Sequence, residues 1–213
     1  AAQADPSTFL AKKFDQIRSD LARLCGTRFL SVTEASEGRR LDDATVKAVT
    51  GGDAITVRHL YHSEFEYHPA FKLWITTNHC PVITDDSDGM WRRVRLIPFT
   101  VQIMAHERDL DIKDKLMAER EGILQWALDG AAEYQRIGLA EPSCVLASTA
   151  EYRTHEDAVG NFLAECCEAA PAETVQIKSL YGAFCVENDS KQYSLNYFGR
   201  RVTEKVEGGQ LPG

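Results

Sequence analysis

Two rhythms of apolar and polar positions run along the chain, one with the spacing of a helix and one of period two. Phe9, Leu10, Phe14, Ile17, Leu21 and Leu24 recur at helical spacing, which predicts a helix over residues 7–24 that Gly26 ends. "TRFLSVTE" reads as a buried strand closing on an acid, and "DDATVKAVTGGD" as a helix that runs into a Gly-Gly turn. "AITVRHLYHSEFEYHP" alternates around a polar middle, the pattern of a β-hairpin with its tip near Tyr61 and His62. "FKLWITTN" predicts the next strand, "DDSDGM" a loop and "WRRVRLIPF" a further strand. Alternating helices and strands with short links imply an α/β core with a mostly parallel sheet.

Beyond Phe99 the rhythm becomes helical. Ile112, Leu116, Ile123, Leu124, Ala127 and Leu128 form one stripe toward Tyr134, and Gly138 and Pro142 punctuate its end. A break over residues 142–149 leads to a smaller block. There Val159, Phe162, Leu163 and Cys166 share a helical face, "ETVQI" reads as a short strand, Leu180 and Phe184 mark a second helix, and Leu195, Phe198 and Val202 a third. This order fits a winged helix with its wing cut off, and equally any small helical domain.

Composition narrows the class. With 213 residues, 44% hydrophobic and 26% charged, the chain suits one or two globular domains. No apolar run approaches a membrane span and no signal-peptide pattern opens the sequence, so a cytoplasmic protein without membrane partners is expected. The formal charge of -8 argues against indiscriminate coating of nucleic acid and leaves room for a local basic patch. Cysteines 25, 80, 144, 166, 167 and 185 include no Cys-x-x-Cys pair and read as reduced thiols. His59, His62, His68 and His79 match no ligand spacing, so no metal site built on Cys or His is expected.

In an open α/β sheet, ligands gather outside the carboxyl ends of the strands. Two strands finish there in polar groups, Glu34 and Asn78, although either residue could equally cap a turn or helix. Their order with the intervening segments resembles the superfamily 3 helicases, most closely the phage and plasmid primase-helicases of the P4 family, related to poxvirus D5. "RFLSVTEASEGRRLDDATVKAVTGGD" is similar to the acidic motif and Gly-Gly-Asp segment of that family, "FKLWITTNHCP" to its sensor strand and "WRRVRLIPF" to its arginine-finger strand. The likeness is tight from about Asp20 to Phe99 and looser through "GILQWALDGAAEYQRIGL" and "EYRTHEDAVGNFL".

The resemblance implies a partial P-loop NTPase core of the AAA+ kind over residues 1–104, a helical segment over 105–142 and a winged-helix-like domain over 143–213. It implies that Glu34, with Glu37 as competitor, is the acid that works with ATP and Mg²⁺. Asn78 would be the γ-phosphate sensor. Arg93, with Arg92 as competitor, would be the finger that reaches a neighbouring subunit's ATP in a homo-oligomeric ring. Lys47, Gly51, Gly52 and Asp53 match the segment that shapes a DNA-facing hairpin, and Arg58, His59, Tyr61 and His62 would meet DNA at its tip. "SLNYFGRRVTEKV" would offer Arg200, Arg201 and Lys205 to DNA phosphates.

One departure matters. The phosphate loop of this family, Gly-x-x-x-x-Gly-Lys-Ser/Thr, is absent, since the sequence holds no Gly-Lys pair. The resemblance implies that this loop lies upstream of Ala1 and that the present stretch alone neither binds ATP tightly nor hydrolyses it. Two functions follow: part of an ATP-driven DNA helicase in phage or plasmid replication, or a non-catalytic accessory protein that docks DNA or a helicase ring.

Overall fold

Strand β2 (Phe29–Thr33) organises the sheet, because its alternation buries Leu30 and Val32 on one face while Phe29 stays exposed on the other. In the computed structural model, which describes residues 1–12, 18–33, 38–168, 170, 173–188 and 193–207, β2 lies between β1 (Ala2–Ala4) and β5 (Lys72–Thr76). Both pairings are parallel, with Leu30 opposite Ala2 on one side and Leu73 on the other. On the second face Phe29 stacks on its diagonal neighbour Trp74 at 6.0 Å, and both rings remain about half exposed.

Parallel strands need a long crossover, and this one carries a helix and a hairpin. Helix α2 (Asp43–Thr50) starts where Asp42 accepts the Thr45 amide at 3.0 Å, and it buries Val46 and Val49. Gly51 caps its end and Gly52, at φ +88°, turns the chain into β3 (Ile55–Arg58). Strand β4 (Glu64–Tyr67) returns antiparallel to β3, with Arg58 opposite Glu64. The hairpin base is fastened where the buried Tyr67 hydroxyl donates to the Leu21 carbonyl at 2.7 Å, on the short helix α1 (Ser19–Ala22).

Several sequence expectations need correction. The helix over residues 7–24 is broken: a 3₁₀ turn spans Pro6–Thr8, α1 begins at Ser19, and Phe14 and Ile17 lie outside the described residues. Backbone pairing overrides the periodicity there, since the Ala11 amide donates to Arg40 at 3.0 Å and the Asp42 amide to Phe9 at 2.8 Å. "WRRVRLIPF" is no strand. Trp91 ends a single helical turn, α3 (Asp88–Trp91), whose Met90 and Trp91 are buried, and the amides of Arg92, Arg93 and Val94 continue its turns. A strand needs a neighbour for its ladder, and among the described residues β5 pairs only with β2. β1 was not foreseen, because three residues carry too little pattern.

The described residues form two compact units, 1–94 with 153–213, and 95–152. The second contains α4 (Ile112–Ala118), α5 (Arg120–Ile137) and most of α6 (Ser143–Glu156). Pro142 precedes the first residue of α6 and accepts the Val145 and Leu146 amides, so it starts a helix where a break was expected. The predicted stripe on α4 and α5 is present, yet no residue of either helix is buried and Trp126 is 77% exposed.

In the first unit, α7 (Ala158–Cys166), α8 (Ile177–Glu187) and α9 (Leu195–Glu207) close on an aromatic core. Phe184 packs on Phe198 at 4.8 Å and edge-on to Phe162 at 5.4 Å, with Val159, Leu163 and Tyr193 around them. "ETVQI" forms no strand: the Glu173 amide makes a turn to Ala170, and Ile177 already begins α8. Phe198→Ala is expected to cost about 3–5 kcal/mol, because a fully buried ring leaves a cavity that three helices cannot close. Urea denaturation measures this, and a loss below about 1 kcal/mol would contradict this account of the core.

Candidate functional site

The in-register pairing of β2 with β5 sets Thr33 beside Thr76 at the carboxyl ends of the two strands. Thr33 is the residue before Glu34 in the chain, while Glu34 and Glu37 themselves lie outside the described residues. Asn78 follows β5 in an exposed bend, where the Thr77 hydroxyl donates to the His79 carbonyl at 2.6 Å.

Lys47 projects from α2 toward the loop after β5. Its ammonium pairs with the Asp85 carboxylate and donates to the Ser87 hydroxyl at 3.1 Å. Asp43, one turn earlier on α2, accepts the Thr84 hydroxyl at 2.9 Å and the Asp85 amide at 3.0 Å, while its second oxygen is buried without a hydrogen-bond partner. Burial therefore pushes the Asp43 carboxyl above its ordinary value of 3.8, against the hydrogen bonds from Thr84 and Asp85 that favour ionisation. For Asp85 burial also opposes ionisation, but hydrogen bonds from Lys47 and Ser87 outweigh it and leave this carboxyl below 3.8.

The two arginines differ in direction. Arg92 is exposed, while half-buried Arg93 folds back to donate to the Gly89 carbonyl. Its guanidinium also lies against Gly51, where an added Cβ would sit 3.7 Å from Nη2 and 2.9 Å from the Lys47 carbonyl. The close approach that favours glycine at this position is to the Lys47 carbonyl, while the arginine stands at ordinary contact distance. Asp53 lies beside that glycine, and the Gly52 carbonyl meets the His68 ring at 3.1 Å.

At the hairpin tip Tyr61 is 97% exposed with φ +64°, a left-handed conformation that holds its ring away from the strands. His59 stacks on Phe65 at 5.5 Å and meets His62 edge-on at 6.2 Å. Arg58, His59 and His62 are exposed, so the tip presents one guanidinium and three rings together.

The C-terminal basic residues do not all face outward as expected. Arg200 does, with its guanidinium over the Tyr197 ring at 5.9 Å and near Glu204. Arg201 is turned inward onto Asp86, and its second nitrogen donates to Glu204 at 2.6 Å. Lys205, only 8% exposed, pairs with Asp157 at the start of α7. A helix surface read as solvated carries these cations inward because carboxylates wait beneath it. Gly160 permits the Lys205 pairing, since a Cβ there would strike the Asp157 carboxylate and approach the Lys205 ammonium to 2.9 Å.

Asp85, Asp86 and Asp88, with Arg153 and Asp157, are the residues that sequence reasoning missed. Arg153 donates to Asp86 at 3.3 Å, to the Asp86 carbonyl at 2.9 Å and to Asp88 at 2.9 Å. Asp85, Asp86, Asp88 and Arg153 line an open cleft of about 1150 Å³ together with Lys47, Tyr197 and Arg201. The acid-rich "DDSDG" was the available signal, but spacing cannot show that cations far along the chain return to it.

Among the described residues no group of three or more His, Cys, Asp or Glu is arranged to hold a metal ion, and the sequence has no phosphate loop.

The Asp43 and Asp85 shifts have opposite signs. A carboxyl with a raised folded pKa contributes stability fully present below 3.8 and lost as pH rises through the raised value, as at Asp43. A lowered one contributes stability present above 3.8 and lost as pH falls further, as at Asp85. Asp43→Asn should therefore compare best with wild type near about pH 7 and lose ground toward about pH 4, read by urea unfolding. A difference that does not change with pH would contradict the burial of this carboxylate.

No protein-family profile matches the chain. It is similar to proteins of large DNA viruses that are named putative helicases. It is 27% identical over 202 residues to one of Acanthamoeba polyphaga mimivirus, across 85% of this chain and 20% of the relative. It is 28% identical over 184 residues to one of Frog virus 3 (isolate Goorha), across 78% of this chain and 19% of the relative. A third, of Invertebrate iridescent virus 3, is 29% identical over 86 residues, 39% of this chain and 9% of the relative. The chain spans about a fifth of the length of the first two.

Proposed function

We propose that the chain is part of an ATP-dependent DNA helicase of the superfamily 3, primase-helicase kind, acting in the replication of a viral, phage or plasmid genome. The observation that carries this reading is the parallel pairing of β2 with β5 through Thr33 and Thr76, which brings the acid-bearing and amide-bearing segments out at the same end of adjacent strands. The exposed hairpin in the crossover and the viral relatives named putative helicases support it.

Nucleotide binding belongs, in this reading, to a longer protein that carries a phosphate loop. Glu34 or Glu37, Asn78 and one arginine are the residues assigned to its ATP site. Exposure favours Arg92 as the group that reaches across a subunit boundary of a ring, with Arg93 holding the Gly51 turn. The AAA+ description of residues 1–104, the helical segment 105–142 and the winged-helix description of 143–213 belong to the same proposal. β5, which has one paired edge among the described residues, offers the place where a phosphate-loop strand would add.

DNA would pass over the hairpin tip, where Tyr61 offers a stacking platform. Tyr61→Ala should weaken binding of a single-stranded oligonucleotide about tenfold, measured by fluorescence anisotropy, because one base stack is worth about 1–3 kcal/mol. Its Tm should not fall, since the ring packs on nothing. Unchanged affinity would remove the hairpin from the DNA path. A polypeptide extended upstream to include a Gly-Lys-Ser/Thr loop should hydrolyse ATP and lose that activity with Glu34→Gln. Upstream sequence without such a loop would favour the accessory-protein reading instead.

A further inference from the structure

We infer that the loop Asp85–Asp88 is a junction through which the C-terminal helices position both the hairpin-bearing helix α2 and the arginine-bearing turn α3. From the C-terminal side, Glu156 accepts the Ile83 amide at 3.0 Å and the Tyr197 hydroxyl donates to the Thr84 carbonyl at 3.1 Å. Arg201 and Arg153 converge on Asp86, and Arg153 continues to Asp88, the first residue of α3. From the other side, Asp43 and Lys47 of α2 hold Thr84, Asp85 and Ser87. Each of residues 83–88 thus carries a contact from one direction or the other, and Thr84 from both.

The path onward is short. The Asp88 carbonyl accepts the Arg92 amide at 3.0 Å, and the Gly89 carbonyl accepts the Arg93 guanidinium. The Arg93 guanidinium in turn lies near Gly51, the end of α2 from which the hairpin departs. Arg201 is 13% exposed and Asp86 18%, so their pair is largely withdrawn from water, with Glu204 and Arg153 as the further partners of the two charges. Buried charge pairs of this kind fix geometry more surely than they add stability. Arg153 and Arg201 are therefore positioning residues for Arg92, Arg93 and the hairpin. The functional meaning of that positioning rests on the helicase reading, while the mechanical linkage does not.

Amide hydrogen exchange on the whole chain, without ATP or DNA, tests the linkage separately from that reading. Arg201→Met should accelerate exchange of the Met90–Val94 amides about tenfold and leave β2 and β5 protected. Arg201→Lys, which keeps a cation at Asp86, should restore most of the protection. Lys205→Met breaks a pair internal to the C-terminal helices and should leave α3 at wild-type rates. Acceleration confined to α7 and α9 in Arg201→Met would overturn the inference. So would equal acceleration of α3 in Lys205→Met, because any loosening of the helices would then suffice. If Arg201→Met does not fold, Asp86→Asn breaks the same contact from the loop and is judged by the same two criteria.

Discussion

The parallel register of Phe29–Thr33 with Lys72–Thr76 is the constraint on which the rest of this structure depends. Two strands that run the same way cannot be joined by a tight turn, so the chain between them must leave one end of the sheet and come back to the other. That excursion carries α2 and the hairpin, and the helix is held back on the sheet side by Lys47 and Asp43 gripping the loop that follows β5. The position of the hairpin is thereby set through these two polar side chains of α2 and the Tyr67 anchor.

Elements whose pattern is satisfied locally or by an adjacent strand were legible in the sequence. Strands β2 and β5, the hairpin and helices α2, α7, α8 and α9 stand where alternation or helical spacing placed them. The misreadings share a cause, which is that the deciding partner lies outside the window being read. "VRLIP" has the composition of a strand but joins neither sheet, and residues 9–12 give up helical spacing for backbone bonds to Arg40 and Asp42. The site divides the same way. The hairpin tip could be read because its exposure follows from local geometry, whereas Arg201 and Lys205 looked solvated because their carboxylates, Asp86 and Asp157, are 115 and 48 residues away.

Apolar surface left uncovered follows the same logic in reverse. Phe29 and Trp74 shield each other on one face of the sheet, and the α4–α5 stripe keeps the spacing of a buried helix while Leu124 and Trp126 stay exposed. Parallel sheets ordinarily have both faces covered, and an apolar stripe of helical period ordinarily meets a partner. Under the proposed function these surfaces are where further chain or a neighbouring subunit would pack, on elements that already have their final pattern.

Under the proposed function an acidic chain would have to meet DNA. A formal charge of -8 is unfavourable for approach to a polyanion, and ion pairs inside the fold leave that net charge unchanged. Asp85, Asp86 and Asp157 neutralise Lys47, Arg201 and Lys205, which are the cations a sequence reading would have offered to DNA. What remains outward at the hairpin tip is aromatic more than ionic, Tyr61 with His59 and His62 beside Arg58. Recognition through such a tip would rest on stacking, which every base can provide, and a protein that moves along a strand needs that tolerance of sequence. Under the same proposal the acidic loop would hold basic residues inward and so help to fix where the hairpin and the arginines sit.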